Sequence, residues 1–363
     1  MRITEVRVRR KAFAETQLAE RPSPALGEGE ILVQIDKFAL TANNVSYALS
    51  GDMIGYWKFF PVEEPWGIVP VWGFANIVES RHANLAMGER MWGFLPMASH
   101  VLMRPNAVTP RSFVDGASHR AALPGIYNNY QRTTSDPAEL TALEDERCLL
   151  FPLFTTSYAL YDYLVDNEFF GAEQVLLGSA SSKTGLGLAN LLSRHGAGRP
   201  RVVALTSPRN VEFVRRLGTC DEILTYAEIA AMHGATPTAF VDMAGSGEVV
   251  AAIHARFGVN LKLSCAVGAT HWESPRHRLE TAGAPHTFFF APGQIAKRER
   301  DWGSGEMLRR AQRESARMSR ELKGLLTIQH ERGPEATRSA FSRLVAGDIA
   351  PDIGIIASLF PST

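Results

Sequence analysis

One stretch of the chain carries residue types at a spacing that could do chemistry. "VLLGSASSKTGLGLA", residues 175–189, runs from an apolar strand through a small-residue turn into a helix. A helix N-terminus concentrates unpaired N–H groups and positive dipole potential, which suits a phosphate or pyrophosphate. Gly185 and Gly187 stand where such a helix must pack closely on its strand. Ser179, Ser181, Ser182 and Thr184 put small hydroxyls where a glycine-rich cradle would leave open backbone, and Lys183 adds a cation at the centre. A P-loop needs Gly-x-x-x-x-Gly-Lys-Ser/Thr. "GSASSKT" lacks the second glycine and is one residue short, so that reading fails on spacing. A tight turn serving only the fold stands as the plain alternative.

The strand that follows adds discrimination. A site for NAD carries an acidic residue about 20 positions beyond the glycine loop, where it binds the ribose hydroxyls. The corresponding "VVALTSPRNVEF" presents Thr206, Ser207, Arg209 and Asn210, with no carboxylate at the strand end. Hydroxyls and a cation suit a 2′-phosphate, which a carboxylate would repel. The expected cofactor is therefore NADP(H), with Lys183 supplying further positive charge. The competing reading of Arg209 is a solvent-exposed side chain.

The elements that must position these residues alternate. "EQVLLGS", "RVVALTS", "EILTY", "AFVDMAG" and "LKLSCAVGA" read as strands, separated by the helical "KTGLGLANLLSRHG", "PRNVEFVRRLG", "AEIAAMHG" and "GEVVAAIHARFG". Such alternation predicts βαβ crossovers and a parallel sheet. Before it, "PLFTTSYALYDYLVDNEFF" has helical spacing, with Thr155, Thr156 or Ser157 available as N-cap. The first third is β-rich: "EILVQIDKFAL", "GIVPVWGFANIVES" and "GERMWGFLPMASHVLMRP" carry the alternation and punctuation of a small barrel. Residues 110–145 break that rhythm and read as a long loop or insertion leading to a helix near Glu139. Long loops often act as lids, so Tyr127 and Tyr130 are candidates to close over a pocket, with a plain surface loop as the alternative. The tail holds an arginine-rich helical pattern, "GEMLRRAQRESARMSRELKGLL", whose interleaved acids favour a solvated face over an anion platform.

Composition narrows the classes. In 363 residues, Lys+Arg and Asp+Glu balance at 38 each, so no global field recruits nucleic acid or a membrane surface. The 45% hydrophobic content is ordinary for a globular chain long enough for two cores. The start, "MRITEVRVRRKAF", lacks the apolar core of a signal peptide, and no run approaches the roughly 18 apolar residues of a membrane span. Cys148, Cys220 and Cys265 show no ligand spacing and suit buried reduced thiols. A cytoplasmic protein is expected. The histidines are scattered and receive no role.

In order and texture these segments resemble the medium-chain dehydrogenase/reductase superfamily, of the quinone-oxidoreductase and alcohol-dehydrogenase type. The likeness covers most of residues 25–290: "GEGEILVQIDKFALTANNVSYA", "GERMWGFLP", "FTTSYALYDYL", the loop at residues 175–189, "AFVDMAG" and "LSCAVGA" follow in the family's order. More narrowly, "TANNVSYALSG", "YNNY" and "APGQIAKRERDWG" look like a bacterial and fungal branch whose biochemical role is undefined. The resemblance implies an α/β protein: a GroES-like β-barrel catalytic domain over residues 1–150, with the insertion near 110–145, and a Rossmann-type parallel-sheet domain over 151–292. A helical segment over 293–363 would return to the catalytic domain, and a homodimer through the Rossmann sheet edge is common.

Two departures matter. Zinc members carry a Cys in the segment occupied by "ALTANNVSYA" and Gly-His-Glu where this chain reads "WGFANIVES", and the cysteine-rich zinc lobe is missing. A zinc-independent enzyme is therefore expected, with no metal. The family also has glycines where Ser179 and Ser182 stand. By resemblance "TANNVSYA" faces the nicotinamide: Asn43 or Asn44 would hold its carboxamide or a substrate oxygen, and Tyr47 would donate a hydrogen bond or proton. The alternative is that the asparagines cap a turn and Tyr47 packs in the core. Thr156, Tyr226, Gly245, Val267 and Gly268 are carried over to the cofactor pocket. The expected reaction is hydride transfer from NADPH to an activated C=C or C=O of a small apolar quinone or enone. A noncatalytic NADP(H)-binding sensor or partner protein is the alternative.

Overall fold

A computed structural model describes residues 1–134, 136–267 and 283–361. It divides into two compact units, Met1–Leu149 with Thr327–Thr363, and Leu150–Leu326.

The first unit is built on antiparallel strands. Ala12–Pro22, Arg2–Arg9 and Trp66–Gly67 form a three-stranded sheet. A nine-stranded sheet runs in the order Thr327–Arg332, Ile353–Ser358, Ile31–Leu40, Pro70–Ser80, Arg90–Pro96, Asn129–Arg132, Ser112–Asp115, Pro105–Asn106, with His100–Met103 added beside Ile31–Leu40. Among the described residues the strand order closes no barrel. The three strand-rich stretches of the sequence fall where the alternation placed them. Apolar side chains at Val33, Phe38, Phe94 and Phe341 are fully buried and face one core.

The stretch 110–145 differs from the expected loop. It contributes two strands, Ser112–Asp115 and Asn129–Arg132, which pair with each other and, through the second, with Arg90–Pro96. Tyr130 is fully buried, its ring lying where a Cβ on Gly93 would sit 2.3 Å away. Its hydroxyl donates to the Phe94 carbonyl and accepts from Arg120, which also pairs with Asp115 at 3.3 Å. Burial pushes its phenol up to about 12. Tyr130 is therefore a core residue that anchors a buried arginine, not part of a lid.

In the second unit we number the strands β1 (Gln174–Gly178), β2 (Arg201–Thr206), β3 (Glu222–Thr225), β4 (Thr238–Asp242), β5 (Leu261–Val267) and β6 (His286–Phe289). They form one parallel sheet in the order β3-β2-β1-β4-β5-β6, the doubly wound arrangement of a dinucleotide fold. Every residue of β1 and β4 is buried, as expected for central strands covered on both faces. Helices Lys183–Ser193, Val211–Leu217 and Gly247–Phe257 connect the strands.

Two boundaries differ from expectation. The helix expected to start near Thr155 begins at Glu144 and runs to Asp166 with Pro152 inside it, so Thr155, Thr156 and Ser157 are interior residues and not caps. Acidic residues Glu144, Asp145 and Glu146 occupy its first turn, where the dipole favours them. By length and hydropathy alone this helix could cross a bilayer, but 56% of its apolar window is buried by the rest of the chain. The tail also divides at a different point: helices Ala291–Trp302 and Glu306–Glu321 belong to the second unit, and the return to the first begins at Thr327. Arg298 pairs with Asp162 at 2.7 Å and Asp166 at 2.8 Å, and its guanidinium lies 4.7 Å from the Trp302 ring centre. Arg309, Arg310 and Arg317 pair along their own helix with Glu306, Glu314 and Glu321, the solvated ion-paired face anticipated for this segment.

Candidate functional site

In the second unit the turn after β1 brings the expected hydroxyls together, but uses several of them internally. Ser182 is the N-cap of Lys183–Ser193, its Oγ accepting the Gly185 N–H at 3.1 Å. Ser181 is buried, and its Oγ accepts from Thr206 Oγ1 at 3.3 Å and Asn210 Nδ2 at 3.0 Å, tying the turn to the end of β2. Ser179 has a φ of +54°, a left-handed conformation that favours glycine. Its N–H donates to the Tyr226 hydroxyl at 3.1 Å, a bond that holds the strained residue in place. Tyr226, half-buried at the start of a short 3₁₀ turn, thus contacts the loop itself.

Lys183 and Thr184 are the first two residues of the helix, at its positive end. The Thr184 carbonyl accepts from Ser157 Oγ at 2.8 Å, and Thr156, beside Ser157, is partly exposed within its helix. A Cβ on Gly185 would lie 2.8 Å from the Ser179 carbonyl and 3.0 Å from Ala180 Cα. A Cβ on Gly187 would lie 2.6 Å from Ser157 Oγ. Both glycines are required by close approach.

At the end of β2, Thr206 is fully buried, and Ser207 Oγ is a buried polar atom with no hydrogen-bond partner among the described residues. Arg209 is exposed in the turn Pro208–Asn210. At the end of β4, Asp242 Oδ1 accepts from the Ala244 and Gly245 N–H groups at 2.8 and 3.1 Å, with Gly245 at φ +68°. Val267 ends β5 and is partly buried; Gly268 lies outside the described residues.

These features fit the phosphates of a dinucleotide. The helix start is capped by a serine and carries a lysine, and an unsatisfied hydroxyl stands beside an exposed arginine. Ser207, Arg209 and Lys183 would hold the phosphates; Ser181, Ser182 and Thr206 shape the turn instead.

In the first unit, "TANNVSYA" opens the helix Ala42–Leu49. Asn44 is buried and consumed by backbone: its Oδ1 accepts the Thr41 N–H at 2.7 Å and its Nδ2 donates to the Pro70 carbonyl at 2.9 Å. This is the capping role. Asn43 is partly exposed, one turn before Tyr47 on the same helix. Tyr47 is buried, with its oxygen accepting the Trp72 indole N–H at 3.0 Å. Tyr56 and Tyr127 share a hydroxyl–hydroxyl bond of 2.8 Å, with Tyr127 partly exposed on the turn Gly125–Asn128. The rings of Tyr47, Tyr56, Phe94, Trp72 and Tyr127 form one aromatic cluster. Burial raises all three phenols well above their ordinary range, so they are neutral hydrogen-bond donors at physiological pH.

The cysteines are free, and burial pushes Cys220 up to about 11 and Cys265 up to about 12, with Cys148 higher still. Protonated thiols of this kind are poor nucleophiles. Among the described residues no group of three His, Cys, Asp or Glu could hold a metal ion.

Trp72, Tyr56 and Asp242 escaped the sequence reading. Trp72 lies in a strand recognised only for its β-forming residues, and nothing local couples it to Tyr47. Asp242 stands at the end of "AFVDMAG", where a strand-terminal aspartate before small residues is a usable signal for a backbone-capping carboxylate.

No curated protein matches this chain. Solved structures do, along nearly its whole length. CurA from Vibrio vulnificus in complex with NADPH is 13% identical, with 100% of each chain covered and a TM-score of 0.62. CurK enoyl reductase is 14% identical over 98% of this chain and 99% of its own, with a TM-score of 0.56. The quinone oxidoreductase from Coxiella burnetii is 14% identical, with the same coverage and a TM-score of 0.53. At these identities the likeness is one of fold. A family model matches residues 38–350, most of the chain, and the protein accordingly belongs to the DUF2855 family, described as a protein of unknown function.

Proposed function

We propose that this protein is a zinc-independent oxidoreductase that uses NADPH to reduce an activated C=C or C=O of a small apolar quinone- or enone-like substrate. The observation that carries the reading is the end of β2: an exposed Arg209 and a buried, unsatisfied Ser207 hydroxyl, with no carboxylate, beside a serine-capped helix start bearing Lys183. That chemistry accommodates a 2′-phosphate. The NADPH-bound relative of the same fold supports the choice of cofactor.

The dinucleotide, when bound, supplies the hydride. The chain supplies orientation and a proton. Charge develops on the substrate oxygen as hydride adds, and the neutral Tyr47 phenol is the group suited to donate to it. The absence from the sequence of the family's zinc ligands is what motivates the phenol in place of a Lewis acid. We read the first unit as a GroES-like catalytic domain, and the protein as a cytoplasmic homodimer. The dimer would form through β6, which pairs only with β5 among the described residues and carries Phe288 and Phe290, 46% and 57% exposed, at or beside its end.

Titration with NADPH and NADH, followed by nicotinamide fluorescence, tests the cofactor. NADPH should bind more tightly; no binding of either overturns the proposal, and tight NADH with negligible NADPH reverses the phosphate argument. Oxidation of NADPH by quinones and enones then tests the reaction. The depth of Tyr47 favours one second reading, a noncatalytic NADP(H) sensor, which predicts binding without turnover.

A further inference from the structure

Resting on the reading of Tyr47 as proton donor, we propose that Trp72 is a positioning residue that turns this buried phenol into a competent acid. The Trp72 indole N–H, 3.0 Å from the Tyr47 oxygen, is a donor only, so the phenol must be the acceptor. The single proton on Tyr47 is therefore its own, directed away from Trp72.

The surroundings enforce this arrangement. The Trp72 indole is stacked on Trp92, centroids 4.8 Å apart at 21°, which fixes the direction of its N–H. The Tyr47 ring is clamped by Tyr56 at 4.5 Å and, edge-on, by Phe94 at 5.4 Å. The titratable groups facing it are the phenols of Tyr56 and Tyr127, which are both neutral and bonded to each other at 2.8 Å. Neither competes for the Tyr47 oxygen.

The consequence lies in the charge. Burial alone makes loss of the Tyr47 proton unfavourable. As that proton passes to the substrate oxygen, the indole N–H bond becomes charge-assisted and strengthens. It is therefore stronger in the transition state than in the ground state, the condition for accelerating a step rather than only binding its reactants.

Two measurements test this. The first needs no turnover. In Tyr47→Phe, exchange of the Trp72 indole N–H with solvent should accelerate at least tenfold, with neighbouring backbone amides unchanged; an unchanged indole overturns the hydrogen bond. The second is steady-state kinetics with NADPH and an enone. Trp72→Phe keeps a ring against Trp92 but removes the donor, and should lower kcat about ten- to hundredfold. KM and the NADPH dissociation constant should stay within about twofold. In a Tyr47→Phe background the same substitution should change kcat by less than about twofold, because the oxygen it serves is gone. Equal losses in both backgrounds would mean that Trp72 serves packing, and would overturn the proposal. Failure of the wild type to bind NADPH defeats the proposed function instead, and the indole exchange distinguishes the two.

Discussion

Gly185 offers a perturbation whose sign depends on the loop geometry. It is the third residue of the helix Lys183–Ser193. On helix propensity alone, Gly185→Ala should stabilise by up to about 1 kcal/mol. The packing opposes this: the new Cβ would meet the Ser179 carbonyl at 2.8 Å, Ala180 Cα at 3.0 Å and the Ala180 carbonyl at 3.1 Å. All three are backbone atoms, which cannot rotate aside, and forcing a methyl group into such a contact costs about 1–3 kcal/mol. With the propensity gain of about 1 kcal/mol subtracted, the clash should win by up to about 2 kcal/mol. For a unit spanning Leu150–Leu326, each kcal/mol moves Tm by about 2–4 °C, so a fall of up to about 8 °C is expected. Gly247→Ala is the internal control. It lies in the first turn of Gly247–Phe257 with nothing within 4 Å of its would-be Cβ, so its Tm should stay level or rise. Calorimetric melts of the two variants supply the measurement, and NADPH fluorescence should show weaker binding for Gly185→Ala alone. If both variants gained stability equally, the close approach of loop to helix would be wrong, and with it the phosphate cradle.

Further outcomes follow from other residues. Arg209→Glu should weaken NADPH about tenfold or more while leaving NADH nearly unchanged, as read by the same fluorescence titration; equal affinity would remove Arg209 from the site. Asp221 is held down to about 2 by Arg199 and by the Val202 N–H. A depressed folded pKa stabilises fully above the unfolded value near 4 and is lost as pH falls through about 2. Asp221→Asn should therefore cost about 1 kcal/mol at neutral pH, discounted for a side chain 32% exposed. In urea titrations the difference from wild type should vanish towards pH 2, and a pH-independent difference would refute the linkage. If β6 forms the dimer edge, Phe290→Asp should shift the sedimentation equilibrium to monomer without lowering the NADPH affinity.

The parts of the fold that follow from local pattern were legible. Period-two runs gave the strands of the first unit, and alternating strands and helices gave a parallel sheet, because hydrophobic periodicity is a property of neighbouring residues. The start of the helix at Lys183 could be placed, since Ser182 caps it through a contact only three residues away. The helix start at Glu144 was missed: Pro152 and the polar Thr155–Ser157 look like an ending and a cap, whereas the acidic first turn lies further back. The strands within 110–145 were missed because each is four residues long and is defined by its partner.

By itself the sequence determined the layering of the second unit, the small side chains of its phosphate turn and the lack of a carboxylate after β2. Tertiary structure decided what each polar group does. Asn44 is spent on Pro70, Ser181 on Thr206 and Asn210, Ser179 on Tyr226, and Tyr47 receives Trp72. Each of these bonds spans 25 residues or more of chain. A buried donor or acceptor must find a partner wherever the fold delivers one, and no local pattern records which segment that is.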